Sequence, residues 1–95
     1  MASRKELKKD IEFLVSEVVS ECYTYMYFHP EKNQEKIVEI IGEIIGIRND
    51  LITRVNHPDG KDNPKLVRAH FNTITKDLKE KVIASLDKIG KLETK

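Results

Sequence analysis

Two His-Pro pairs divide this chain into three stretches, and that division limits the fold more than any other feature of the sequence. Pro30 and Pro58 lack the N–H that a helix interior needs, and each pushes the histidine before it, His29 or His57, away from helical angles. Between these breaks the apolar residues recur at steps of three and four, the period of an amphipathic helix. The pattern predicts helices over residues 3–28, 31–56 and 64–90, and a single domain spanning residues 1–95.

In the first stretch Leu7, Ile11, Leu14, Val18, Cys22 and Tyr25 form the apolar stripe. Ser3 followed by Glu6 has the spacing of a capping box at its start. Tyr23 to Phe28 also alternates as a strand would, but no second strand pattern exists to satisfy its backbone, so helix is the reading. In the second stretch Ile37, Ile40, Ile41, Ile44, Ile45, Ile47, Leu51, Ile52 and Val55 cover about half of a helix at ~100° per residue, with Pro30 or Asn33 at its entrance. Its isoleucines, with Gly42 and Gly46, have modest helix propensity, so this helix depends on packing.

The segment His57-Pro58-Asp59-Gly60 has the chemistry of a tight reversal. Asn63-Pro64 then supplies an N-cap and a first helical residue. The third stripe is Val67, Phe71, Ile74, Leu78, Val82 and Ile89, with Gly90 as its expected end. Three helices of about 25 residues, each about 38 Å long, joined by short turns, imply an all-α, up-down-up antiparallel three-helix bundle.

Composition agrees with this reading. Hydrophobic residues make up 39% of the 95, too many for a disordered chain, and one modest core can form without metals or disulfides. The single cysteine, Cys22, lies on the apolar stripe and reads as a small buried hydrophobe. The basic N-terminus is followed by no apolar leader region, and no uncharged run approaches the ~20 residues of a membrane span. A complete, cytoplasmic protein with no membrane partner is expected.

Beside its core stripe, the first helix carries a second seam: Phe13, Ser16, Ser20, Tyr23 and Tyr27 step by three and four along nearly the opposite face. Small residues at the centre allow a second helix to approach, and aromatic residues fill the ends. On the second helix Gly42 and Gly46, extended by Asn49 and Thr53, form a small stripe. Charged neighbours Glu39, Glu43 and Asp50 exclude a lipid-facing role for it. Two arrangements fit these stripes: the seam meets another chain, a homodimer partner or another helical protein, or the glycines receive helix 1 within one chain. A third reading leaves the glycines exposed with no partner at all.

Arg48 falls near the middle of the second apolar arc, where a guanidinium must be paired or reach solvent. Counting levels from the turns places Glu12 opposite it, with Asp10 and Thr75 next, so a structural Arg48–Glu12 ion pair is expected ahead of a ligand-binding arginine. No metal is expected: Asp59, Asp62 and Asn63 lack EF-hand spacing, and His29, His57 and His70 are far apart in sequence. No phosphate loop, nucleophile motif or acid–base set is present, so neither cofactor nor enzymatic activity is expected.

Net charge is only +1, but residues 61–95 carry nine basic and five acidic groups. An antiparallel bundle would gather Arg4, Lys5, Lys8, Lys9, Arg54, Lys61, Lys65 and Arg68 at one pole. Anion or nucleic-acid binding there is the competing function. Acidic residues interleave with the basic ones, and no exposed base-reading helix or stacking aromatic lies at that end, which disfavours nucleic acid.

The runs Arg4 to Ile11, Ser16-Glu17 to Glu21-Cys22, and Arg54 to Gly60 resemble an uncharacterised family of short all-helical bacterial proteins. The resemblance implies the helical fold and no activity. The sequence therefore points to a non-enzymatic, self-associating interaction or regulatory module.

Overall fold

The computed structural model describes residues 4–58 and 62–93 of the chain. It is an antiparallel three-helix bundle: α1 is Arg4–Phe28, α2 is Gln34–Asn56 and α3 is Pro64–Glu93, and each helix packs on the other two. The bundle is a rod of 52 × 17 × 17 Å, as expected for helices of this length laid side by side.

The core runs the length of the rod. Leu7, Ile11, Val18, Cys22 and Tyr25 of α1 meet Ile37, Ile44, Leu51 and Val55 of α2, and Ile74, Leu78 and Ile89 of α3. Several positions differ from the sequence expectation. Val15 is buried and Leu14 only half-buried, because the face α1 turns inward passes between them on the Val15 side. On α2, Ile41, Ile47 and Ile52 are half-buried and Ile45 is exposed, since two neighbouring helices cover less of the circumference than its isoleucines span. Val67, in the first turn of α3, is half-buried and packs against the core.

The helix limits also move. Residues 31–33 do not belong to α2, which starts at Gln34 rather than 31. Asn33 is left-handed (φ 57°, ψ 25°) and makes no side-chain cap; its Nδ2 instead donates to the hydroxyl of buried Tyr25 at 2.8 Å. Asn tolerates this conformation better than most residues, and that bond satisfies a hydroxyl carried into the core. Gln34 Nε2 donates to the His29 carbonyl at 2.9 Å, and the His29 ring lies 4.4 Å from that of Tyr25, so the turn is tied to α1.

At the other turn Asn63 Oδ1 accepts from the backbone N–H of Lys65 at 3.0 Å and of Leu66 at 3.3 Å, an N-cap for α3. Gly90 does not end α3, which continues to Glu93. Leu92 falls on the inward face three residues after Ile89 and is buried; its burial, worth about 1.5–3 kcal/mol, exceeds the ~1 kcal/mol helix penalty of glycine. Ser3, Asp59, Gly60 and Lys61 lie outside the described residues, and so do the capping role expected of Ser3 and most of the second reversal.

Candidate interaction surface

The second seam of α1 is left uncovered by the chain's own helices. Phe13, Tyr23 and Tyr27 are 62%, 60% and 73% exposed, with Ser16 and Ser20 open between them. The serine hydroxyls are not presented equally. Ser16 Oγ donates back to the Phe13 carbonyl at 2.8 Å, which makes the centre of the seam less polar than its composition implies. Thr24 donates to the Ser20 carbonyl at 3.0 Å in the same way. Tyr27 stacks on exposed Phe28, with ring centres 5.2 Å apart and planes 9° from parallel. Ser16, Val19, Ser20, Tyr23, Thr24 and Tyr27 line a shallow open depression of about 490 Å³ together with Phe28.

Gly42 and Gly46 do not receive α1. A Cβ built on either would meet nothing within 4 Å, so both face open space. The helical wheel gives the reason: at ~100° per residue both glycines lie opposite the Ile37, Ile44 and Leu51 face that α2 buries. Close packing of these glycines within one chain is thereby excluded. Of the readings the sequence left open, those with the stripe on an outer face survive.

Two residues extend the apolar surface onto α2: Val38, which the sequence reading passed over, and Ile45, which it assigned to the apolar arc of that helix. Val38 and Ile45 are 58% and 43% exposed, and both lie on the Arg48 side of α2, toward α1. Counting turns from the Arg48–Glu12 contact places Val38 near the level of Tyr23, and Ile45 near Ser16. The available signal was the step of four and three through Val38, Gly42 and Ile45, continued by Asn49.

Arg48 sits at the rim of the α1–α2 contact and not in the middle of a buried arc. Its Nε donates to Glu12 Oε1, its Nη2 to Glu12 Oε2 at 3.1 Å, and its Nη1 to Asn49 Oδ1 at 2.8 Å. This two-pronged pairing holds the Glu12 carboxyl below its ordinary pKa, chiefly through the hydrogen bond from Arg48, and holds the Arg48 proton more firmly in return. Both side chains reach solvent, so the pair pins the helix register more than it adds stability.

At the expected basic pole, Arg54 turns toward α3. Its guanidinium lies 2.9 Å from Asp77 and 3.8 Å from Asp50, which removes its charge from a polyanion surface. Lys8 is half-buried; Lys9, Lys65 and Arg68 are exposed. His70 Nε2 lies 2.7 Å from the Arg54 carbonyl, a contact tying α3 to the end of α2. Farther along, Lys88 donates to Glu43 at 2.7 Å. Burial pushes the Cys22 thiol above its ordinary pKa, and the nearby Glu21 carboxylate adds to the shift.

Among the described residues no group of three or more His, Cys, Asp or Glu side chains could hold a metal ion, and no helix is long and apolar enough to cross a membrane. Compared with protein-family models, curated proteins and solved structures, the chain matches none of them.

Proposed function

We propose that this chain is a non-enzymatic interaction module of the cytoplasm that self-associates through the outer face of α1. One observation carries the reading: Phe13, Tyr23 and Tyr27 stand exposed on one helical line with only serines between them. Scattered surface aromatics are ordinary, but a line of them at the a/d spacing of helix pairing is the pattern a partner helix occupies. The glycine face of α2 supports it, because exposed mid-helix glycines weaken α2 unless something uses the space they leave. The resemblance to short all-helical bacterial proteins brings no activity and adds none here.

Sedimentation velocity at micromolar to tens of micromolar protein tests the proposal. A species of twice the chain mass is expected, with Tyr23→Lys and Ser20→Glu each weakening association on the order of ten-fold or more. A strict monomer at all concentrations, indifferent to both substitutions, overturns it.

A further inference from the structure

We infer that the occupant of the α1 seam is the α1 helix of a second copy lying antiparallel, with the two-fold axis level with Val18. The inference rests on the self-association reading and adds its geometry. The seam begins one step earlier than its aromatics reveal, at exposed Lys9, and then runs through Phe13, Ser16, Ser20, Tyr23 and Tyr27. The steps are four, three, four, three, four, a series that reads the same in both directions. A copy turned end for end about Val18 therefore lays every seam residue on another seam residue.

The matching is chemical as well as geometric. Ser16 meets Ser20 of the second copy, so the helices approach most closely where the side chains are small. Phe13 meets Tyr23 on either side of that centre, an aromatic pair worth more than its area alone. Lys9 meets the exposed ring of Tyr27, which stacks on Phe28 with one face and receives the ammonium on the other. The line is about 27 Å long at 1.5 Å per residue, five turns of continuous helix contact.

A parallel pair uses the same seam poorly. Each residue would then lie on itself, setting Lys9 against Lys9, with no ring to receive either charge. The antiparallel pair also turns the α2 side of each α1 toward the α2 side of the other, bringing Val19 near Val19 and the Val38–Ile45 stripes toward one another. Gly42 lies in that stripe and carries no side chain to hold the two copies apart. On the opposite rim the arrangement places Glu17 near Glu17 of the second copy, its one like-charge contact beside the seam.

Cysteine pairing tests the arrangement, with Cys22 left in place because it is buried. Chains carrying Ser16→Cys and Ser20→Cys are oxidised separately and as an equal mixture under native conditions. The antiparallel register predicts that the mixed disulfide forms several-fold faster than either same-site disulfide. Same-site disulfides forming as fast or faster overturn the register while leaving self-association standing. A wild-type chain that sediments as a monomer overturns both. In a second measurement Glu17→Gln is expected to tighten the dimer about two-fold by relieving the rim contact, whereas unchanged or weaker association counts against the antiparallel pair.

Discussion

At the scale of single residues, two groups report on the packing of α1. The lowered pKa of Glu12 means that its charged form is favoured by the fold. That contribution is complete above the ordinary carboxylate pKa of 4.5 and is lost as pH falls through the lower folded value. Glu12→Gln is therefore expected to lower stability slightly at neutral pH and to flatten the profile below about pH 4.5, so that variant and wild type converge in acid, as urea titrations across pH will show. Cys22 is fully buried with its thiol pKa raised, so at pH 8 it should resist an alkylating reagent in native protein and react on addition of denaturant. Rapid native labelling would mean that the centre of the bundle opens readily. Cys22→Ser, which puts a hydroxyl where the thiol is enclosed, should lower stability by about 1–3 kcal/mol.

At the scale of elements, the helices differ in how they begin and in what weakens them. Asn63 caps α3 with its side-chain oxygen, and Asn63→Ala should lower stability by about 1 kcal/mol, or 4–8 °C in Tm for a chain of this size. The helix α2 has no such cap, and its entrance depends on the Asn33–Tyr25 bond across the turn. Tyr25→Phe keeps the ring but removes that bond, leaving the Asn33 amide without its partner. A loss of about 1 kcal/mol by thermal or urea unfolding is the expected result. Gly42→Ala and Gly46→Ala act in the opposite sense on an isolated subunit, because a methyl at either site meets nothing and restricts the unfolded chain. Each should raise stability by about 0.4–1 kcal/mol when measured at concentrations where the chain is monomeric.

At the scale of the whole molecule, the bundle satisfies its interior and leaves large apolar side chains exposed on all three helices. Among the described residues no buried side-chain nitrogen or oxygen lacks a hydrogen-bond partner. Exposed large apolar side chains run along the outer side of α1 and the adjoining edge of α2, and Leu66, Ile83 and Leu86 are exposed on α3. In a rod 52 Å long and 17 Å across most of the exposed surface, the outer side of α1 included, lies along its length. Dimerisation through this side should make Tm rise with protein concentration, a dependence that Ser20→Glu should remove.

The all-α class, the three helices and the positions of both turns were legible in the chain because they follow from local physics. Apolar residues at steps of three and four declare a helix face, and a proline after histidine ends a helix whatever surrounds it. The level of Arg48 opposite Glu12 could also be counted, since short turns between straight helices leave little freedom in register. Other features depend on neighbours that are distant in sequence. Whether Leu14 or Val15 turns inward, whether Ile45 is covered, and whether Gly90 or Leu92 governs the end of α3 are decided by the directions from which the other helices approach. Asn33 has a cap residue's chemistry, yet the hydroxyl of Tyr25, eight positions away, claims its side chain. The two stripes of α1 share a helical spacing, and the sequence marks the Leu7–Tyr25 stripe, without serines, as the one for the core. Whether the chain's own helices cover the second seam was decided only by the tertiary structure, because a helix packed against two others has one side covered and the other exposed to solvent.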